Sequence, residues 1–170
     1  SGANADAVRY AKKWKCSVCE ARRAPRHPQA ATASTRPFGF NRTVQIDVKY
    51  AWDARGKKYA ALSLLDTGSG KHDAHMIKTR RSDYIASKIL RKWIMPYGTP
   101  QCFVHDQGGE FEGAFVALLE QFSISSRVTG AHSPWQLGVA ERHGGLLGQA
   151  LQAIVDEHGI EGYRQMKEAL

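Results

Sequence analysis

Residues 43–50, TVQIDVKY, alternate strictly between polar and apolar side chains. A period of two is typical of a β-strand with one buried face, whereas a helix repeats every 3.6 residues. Asp47 lies in the middle of this segment, where aspartate is disfavoured. The segment therefore predicts a sheet strand that carries a carboxylate for some reason other than strand stability.

Turn-rich stretches divide the rest of the chain into further elements. Residues 59–66 and 71–78 predict two more strands, so the first three strands form an antiparallel meander. Helices and short strands then alternate, with predicted bounds 82–95, 101–106, 110–122, 124–128, 139–158 and 161–170. The order predicts an α/β fold in which a five-stranded mixed sheet, the meander plus parallel strands, is flanked by helices.

The N-terminal residues differ in composition from the rest. Residues 1–28 hold seven basic side chains and only two acidic ones, in a chain whose net charge is +8. Residues 21–37 are rich in Pro, Ala, Ser and Thr, which predicts a linker and a compact domain that begins at residue 38. A second basic cluster lies in residues 77–93. Such patches are typical of nucleic-acid-binding proteins, although a solvated surface explains them equally well.

Cysteine usage and hydropathy set the expected compartment. Cys16, Cys19 and Cys102 are too few for a disulfide framework, so we expect a reduced, intracellular setting. No apolar run approaches the roughly 18 residues that a membrane span needs, and no secretory signal pattern opens the sequence. We therefore expect no membrane partner. Cys102 lies on a predicted buried strand and is expected to be a small core residue.

Three carboxylates, Asp47, Asp106 and Glu141, are candidates for a shared site. Asp106 ends the predicted fourth strand, and Glu141 lies in the first turn of the helix predicted at 139–158. If the first and fourth strands are neighbours, the aspartates converge and the helix can bring Glu141 across them. Carboxylates at close range repel one another unless cations neutralise them. Oxygen ligands suit Mg²⁺ or Mn²⁺, and a pair of such ions is the usual device for displacement at phosphorus.

Most of these carboxylates also have an ordinary explanation. Asp106 precedes Gln-Gly-Gly and fits a turn, and Glu141 fits the positive end of a helix dipole. Asp53, Asp66 and Asp73 are rivals by composition, although the first two lie beside predicted turns. Only the mid-strand aspartate lacks a simple structural role.

Three glycines, Gly144, Gly145 and Gly148, lie in the same predicted helix as Glu141. Each glycine inside a helix costs roughly 1 kcal/mol relative to alanine. The pattern therefore predicts a helix to which a phosphate backbone or a packed strand comes very close.

Histidines outside this region receive ordinary roles. His72 and His75 are three residues apart on a predicted strand, so they point to opposite faces and do not share a metal. His105, in the predicted fourth strand beside Asp106, is expected to have an ordinary packing role, with a hydrogen bond near the candidate site as the alternative.

In three stretches the chain resembles the catalytic core of retroviral and LTR-retrotransposon integrases. TVQIDVKY resembles the strand that carries the family's first aspartate, and VHDQGGEF resembles its D-x-G-x-E/Q-F element. SPWQLGVAERHGG resembles its P-x-x-x-G-V-x-E element. The resemblance covers about residues 38–158.

The resemblance implies an RNase H-like fold and a catalytic triad of Asp47, Asp106 and Glu141 that binds two Mg²⁺ or Mn²⁺ ions. It implies a polynucleotidyl transferase and endonuclease that trims the 3′ end of linear element DNA and transfers that strand into target DNA. The implied partners are double-stranded DNA, at the element ends and the target, and further copies of the chain as a homo-oligomer. The expected location is intracellular, in a virus-like particle or the nucleus at the time of integration.

The N-terminus resembles the end of the family's zinc module. VRYAKKWKCSVC is similar to the last helix and Cys-x-x-Cys of a His-His-Cys-Cys domain, which binds Zn²⁺ in the full-length protein. Zinc needs four ligands in a structural site, and the upstream histidine pair is absent. We therefore predict that Cys16 and Cys19 are an empty half site. Residues 1–20 would be the remnant of this domain, 21–37 a linker and 38–170 the catalytic core.

The sequence departs from the family pattern near Glu141. The 34 residues between Asp106 and Glu141 are one fewer than is usual. Leu137, Gly144 and Gly145 replace polar or basic residues that the family often carries. Contacts to DNA are therefore predicted for other residues: His132, Trp135, Gln136, Arg142, His143, Lys12, Lys13, Arg22 and Arg23. For Trp135, a role as an apolar anchor of its loop fits equally well.

Two alternative functions remain open. One is another nuclease or transposase of the RNase H-like fold. The other is a domesticated DNA-binding or assembly module that has lost catalysis. Metal binding and the products formed from a linear DNA donor distinguish these from an integrase.

Overall fold

The computed structural model describes residues 4–13, 17, 39–129 and 134–170, with the side chains of residues 8, 11, 12 and 134–141 outside the description. The chain divides into two compact units, residues 1–30 and 31–170. The predicted boundaries at residues 20 and 37 stay predictions. In the described part of the chain, no helix has the length and apolarity that a membrane crossing requires.

The first unit contains helix α1, Ala5–Lys13. Asp6 lies in its first turn, where a negative charge interacts favourably with the helix dipole. The Asp6 carboxylate Oδ1 is 3.0 Å from Arg9 Nη2, and the two exposed side chains lie one turn apart on the helix.

The residues of the second unit that the structure describes form five strands, four helices and one 3₁₀ turn. The strands are β1 Thr43–Trp52, β2 Lys58–Asp66, β3 His72–Ile77, β4 Cys102–His105 and β5 Ser125–Val128. Helix α2, Ser82–Ile89, continues as a π-helical turn, Leu90–Ile94, and a last turn, Met95–Tyr97. A 3₁₀ turn, Gly109–Phe111, precedes α3, Ala114–Gln121, and the chain ends with α4, Pro134–His158, and α5, Gly162–Glu168.

The strands form one sheet in the order β3-β2-β1-β4-β5. β1 pairs antiparallel with β2, and β2 antiparallel with β3. β1 pairs parallel with β4, and β4 parallel with β5. The predicted five-stranded mixed sheet is therefore confirmed.

Each face of the sheet is covered by a separate apolar core. Val44 and Ile46 of β1 are 0% and 1% exposed and pack with α2 and α3, around Trp93, Phe103 and Phe115. On the opposite face, Ala51 packs with Leu151 and Val155 of α4 and Met166 of α5. The alternation in TVQIDVKY thus directs Val44, Ile46 and Val48 to the first core. Cys102 is buried, as predicted.

Two helices begin at residues other than those predicted. Helix α3 starts at Ala114, not near residue 110, because Gly113 has φ 50° and interrupts the helical backbone. Helix α4 starts at Pro134 instead of residue 139. Proline fits a first helical position, where its missing N–H would have no intrahelical partner. Glu141 consequently lies two turns inside α4, so the helix-dipole explanation for it is wrong.

Asn41 joins several elements at the start of β1. Its backbone has φ 62°, which asparagine tolerates better than most residues. Its side-chain nitrogen donates to the carbonyl oxygens of Tyr97 and Gly98, each at 3.0 Å. Its side-chain oxygen accepts the indole N–H of the fully buried Trp93 at 2.8 Å. The residue therefore fixes the end of the long helical segment against the first core.

Replacing Asn41 with alanine should destabilise the second unit by about 2 kcal/mol or more, because the buried Trp93 N–H and the helix-terminal carbonyls would be left without their partner. Urea unfolding followed by circular dichroism measures the change. Ser123→Ala is the matched control, since Ser123 also has a positive φ, 53°, and its side chain bonds none of these groups. Equal stability of the Asn41→Ala and Ser123→Ala variants would contradict this role.

Candidate active site

The parallel pairing of β1 with β4 determines the relation between Asp47 and Asp106. Gln45 lies opposite Val104 in this ladder. Continuing the register by two residues sets Asp47 opposite Asp106, which is the first residue after β4. Neighbouring strands lie about 4.8 Å apart. In this continued register the two aspartates, 59 residues apart in the chain, would lie side by side where β4 ends.

Asp47 lies on the sheet face that α4 covers. Along β1 it alternates with the core residues and shares its face with Lys49 and Ala51. Directly across on β2 is Ser63, which is 5% exposed. The Lys49 ammonium forms an ion pair with the Asp47 carboxylate, and both side chains are partly exposed. A positive charge therefore already accompanies the mid-strand carboxylate.

Helix α4 comes very close to β1 at Gly144. A Cβ at Gly144 would lie 2.9 Å from Lys49 Cε, which is closer than carbon atoms pack. A Cβ at Gly145 or Gly148 would meet nothing within 4 Å. The predicted close approach of a strand thus applies to Gly144, whereas the other two glycines lie on open helix surface.

Two contacts relate α4 to the sheet. Gly144 lies at the end of the Lys49 side chain, while Leu151 and Val155, later in the helix, belong to the same core as Ala51. Glu141 is one turn before Gly144, about 4.5 Å back along the helix axis. Its side chain is outside the described residues.

A polar corner adjoins Asp47 on the same face. Ser63 Oγ is 2.8 Å from His72 Nε2. The ring of His72 is 6.1 Å, centroid to centroid, from that of His143 on α4. The pKa of His72 lies below its ordinary value of 6.5, because burial disfavours the imidazolium and the charges of His143 and Lys49 disfavour it further, against an opposing effect of Asp73. His75 lies near Lys88 and Lys92 of the α2 segment, so the two histidines face opposite ways, as predicted.

The loop after Asp106 is held by an ion pair between the buried Glu110 and the half-exposed Arg80. Asp106 Oδ1 accepts the Gly108 N–H at 3.2 Å. Glu110 is 5% exposed and accepts Arg80 Nε at 3.0 Å, and Arg80 also donates to the Tyr50 hydroxyl at 3.0 Å. A Cβ at Gly108 would lie 2.7 Å from the Glu110 carboxyl carbon, so the loop passes directly over this carboxylate. Glu110, the first residue of the helix predicted at 110–122, thus lies in a 3₁₀ turn and has its partner in another element.

His105, which precedes this loop, has the packing role that was expected. Its ring centroid is 4.9 Å from that of Phe111 and 5.2 Å from that of Phe115. Its Nδ1 lies 2.7 Å from the Asp106 carbonyl oxygen. His105 therefore supports the backbone of Asp106 from the opposite face of the sheet.

The rival aspartates have structural roles. Asp66 is fully buried and accepts the N–H groups of Asn41, at 3.0 Å, and Ser69, at 2.7 Å. Asp73 is paired with Lys71 at 3.2 Å. Asp53 accepts hydrogen bonds from Gly162, Lys57, Tyr59 and Arg55. Burial raises the pKa of Asp53, but these four hydrogen bonds together lower it below its ordinary value.

The remaining predicted site residues are only partly described. Arg142 is exposed and His143 half-buried on α4, and Lys13 is exposed on α1. Lys12 lies in α1, and Trp135, Gln136 and Leu137 in α4, with side chains outside the description. Cys16, Cys19, Arg22, Arg23 and His132 lie outside the described residues altogether. Among the described side chains, which exclude Glu141, no three Asp, Glu, His or Cys groups are close enough to hold a metal ion.

Lys49, Ser63 and His72 were not predicted as part of this site. The strand alternation could have identified Lys49, which lies two residues from Asp47 and so on its face. The positions of Ser63 and His72 beside Asp47 depend on the register of β2 with β1 and with β3, which the sequence does not specify.

No protein-family model matches the sequence, and neither does any curated protein compared with it. Solved structures do match. The chain is similar to a chain of the simian T-cell lymphotropic virus intasome, in complex with the PP2A regulatory subunit B56 gamma, at 20% sequence identity and a TM-score of 0.69. The match covers 99% of this chain and 60% of that chain, so the sequence spans about three fifths of the intasome chain.

Isolated retroviral cores give the same result. The HTLV-2 integrase catalytic core in complex with magnesium matches at 22% identity and a TM-score of 0.61, over 76% of this chain and 82% of that chain. The BIV integrase core matches at 23% identity and a TM-score of 0.61, over 76% and 78%. The chain therefore has the fold of retroviral integrase catalytic cores, and the predicted RNase H-like fold is confirmed.

Alanine at Gly145 should stabilise the second unit by about 0.5–1 kcal/mol, because helix propensity improves and the new methyl group displaces no neighbouring atom. Alanine at Gly144 should stabilise less, since Lys49 must move. In a Lys49→Ala background the two substitutions should become equal, which makes a double-mutant cycle by urea unfolding decisive. If Gly144→Ala remains the weaker substitution without Lys49, the close approach of the lysine does not explain the glycine.

Stability should fall as the pH decreases below about 6.5, because the unfolded chain takes up a proton at His72 more readily than the folded chain. Urea unfolding between about pH 7.5 and 5.5 should show a shallower pH dependence for His72→Gln than for the wild type. The pKa of His75 is also lowered, first by burial, so His72→Gln with His75→Gln should be shallower still. His158→Gln, exposed at the end of α4, is the control. An unaltered slope in the His72 variant would refute the assignment.

Proposed function

We propose that the chain is an integrase catalytic core, a polynucleotidyl transferase that trims the 3′ end of linear element DNA and joins this end to target DNA. The observation that carries the proposal is the parallel pairing of β1 with β4, whose last pair is Gln45 with Val104. Continued by two residues, this register would bring Asp47 and Asp106 side by side, on the face that α4 covers. The fold shared with retroviral integrase cores supports it. The shared fold is compatible with other chemistry, so the proposal depends on the carboxylates.

Asp47, Asp106 and Glu141 are the proposed ligands of two Mg²⁺ or Mn²⁺ ions. The donor set fits, since carboxylate oxygens suit these hard cations, and two of the three residues belong to or follow neighbouring parallel strands. The HTLV-2 core to which the chain is similar is itself in complex with magnesium. When bound, such a pair supplies the positive charge that stabilises the attacking and leaving oxygens of a displacement at phosphorus.

The chain's own residues are proposed to bind and orient the DNA backbone. Lys49 is partly exposed on the face of Asp47, so its ammonium is within reach of a phosphate beside the carboxylates. In the two turns of α4 after Glu141, Gly145 and Gly148 have no side chains, so a DNA backbone can lie close to the helix there. Arg142, exposed on the same helix, supplies a further positive charge.

The proposed partners are double-stranded DNA, both element ends and target, and other copies of the chain. Trimeric and dimeric forms of the similar HTLV-2 core, and the intasome, support an oligomeric state. Lys12, Lys13, Arg22 and Arg23 are proposed to contact DNA phosphates, and Cys16 and Cys19 to be the remnant of a Zn²⁺ site. The proposed location is intracellular, in a virus-like particle or the nucleus when integration occurs.

One observation favours a second candidate, a DNA-binding module without catalysis. The ion pair with Lys49 already neutralises Asp47. A protein that no longer binds metal ions would be stabilised by such a pair. Manganese titration separates the two candidates, because a catalytic core binds Mn²⁺ through Asp106 and a silent module does not.

Asp47→Asn, Asp106→Asn and Glu141→Gln should each reduce strand transfer of a linear donor DNA by more than about 100-fold, since even the partners of metal ligands are worth 10- to 100-fold. Isothermal titration with Mn²⁺ should show weakened binding, while circular dichroism stays that of the wild type. Asp73→Asn is the control and should retain activity, because the Asp73 carboxylate lies on β3 and is paired with Lys71. Near-normal turnover in any of the three variants would remove that residue from the site.

A further inference from the structure

A groove of about 820 Å³ lies away from the proposed active site. We call it the basic–aromatic groove, defined by Tyr50, Lys57, Lys58, Lys78, Arg80 and Tyr163. Tyr50, Ala60 and Ile77 are register partners on β1, β2 and β3, and they form its floor. Because Tyr50 is three residues from Asp47 on the same strand, the two point to opposite faces of the sheet. The groove is therefore separate from the carboxylates.

The charge of the groove is one-sided. Four of its lining residues are cationic, and among the described residues that line it none is acidic. The nearby Glu110 is buried against Arg80, and the nearby Asp53 accepts the Tyr59 hydroxyl at 3.1 Å. Both carboxylates are therefore already engaged by hydrogen bonds. The three lysines remain available to an anion.

Aromatic rings alternate with these cations. Lys58 Nζ lies 3.9 Å from the centroid of Tyr50 and 5.9 Å from that of Trp52. Lys78 Nζ lies 5.6 Å from the centroid of Tyr163. Tyr50 and Trp52 are 39% and 47% exposed, which is unusual for two large rings side by side on a strand. Tyr50 and Trp52 are two residues apart, so their backbone positions are separated by about 6.6 Å along β1 and both rings lie on one face of the strand.

We propose that the basic–aromatic groove, with Trp52 beside it, binds a single strand of nucleic acid. Exposed rings stack with unpaired bases while lysines contact the phosphates, the combination by which proteins bind single strands without sequence preference. A duplex presents its phosphates but keeps its base faces stacked inside. It would therefore contact the lysines but not stack on the aromatic rings. This inference does not depend on the proposed catalytic carboxylates.

Fluorescence anisotropy with a labelled oligothymidylate tests the proposal, with the full chain in EDTA so that divalent ions play no part. Trp52→Ala should weaken binding by about 5- to 100-fold, and Trp52→Phe should restore most of it, because a smaller ring still stacks. Lys58→Gln and Lys78→Gln should weaken binding and flatten its salt dependence, whereas Trp52→Ala leaves the salt slope unchanged. Lys92→Gln removes the same charge from an exposed position outside the groove and should leave the Trp52 effect intact.

Three results would overturn the proposal. One is unchanged single-strand binding by Trp52→Ala. The second is an equal loss of affinity for a duplex of the same sequence, which would indicate a phosphate contact only. The third is equal competition by polyglutamate, which would indicate a surface for acidic proteins. Strand transfer by Asp47→Asn tests the catalytic proposal, whereas oligonucleotide binding by Trp52→Ala in EDTA tests this one, so failure of either is separately visible.

Discussion

The pairing of β1 between β2 and β4 is the constraint from which the other features follow. Because side chains alternate along a strand, a slip of one residue would exchange the two faces of β1. Val44 and Ile46 would leave the first core, and Asp47 would enter it unpaired. The free energy of burying two apolar side chains thus also fixes the side on which the carboxylate lies. The same register brings Asp106 beside it, so core packing and the proposed site share one determinant.

Helix α4 covers the face of the sheet that carries Asp47, and it does so by apolar packing in its second half and by a glycine in its first half. Leu151 and Val155 hold its second half against the sheet, while Gly144 lets its first half pass over the Lys49 side chain. A bulkier residue at Gly144 would displace the lysine and alter the ion pair at Asp47. The helix that carries Glu141 is thus held at one end by an apolar core, while at the other end a glycine leaves space for the Lys49 side chain.

The sequence predicted the strands well because their signal is local. The period of two in β1 and the turns that flank β2 and β3 were sufficient for the sheet, and the turn roles of Asp53 and Asp66 followed from the same reasoning. What could not be predicted depends on distant partners. Glu110 binds Arg80 from another element, and Lys49 meets Gly144 almost a hundred positions later, so neither contact leaves a local pattern. The basic–aromatic groove draws on three strands and α5, and no single segment reveals it. The ligand roles of Asp47, Asp106 and Glu141 stay predictions.

Asp53 has a consequence for how the molecule comes apart in acid. Its carboxylate holds the first residue of α5, Gly162, to the turn between β1 and β2. A lowered pKa means that this attachment is complete above the ordinary value of 3.8 and weakens as protons bind at lower pH. Met166 of the same helix is buried in the second core. Acidification therefore weakens the attachment of α5 to this turn while the apolar packing that holds the helix to the sheet remains.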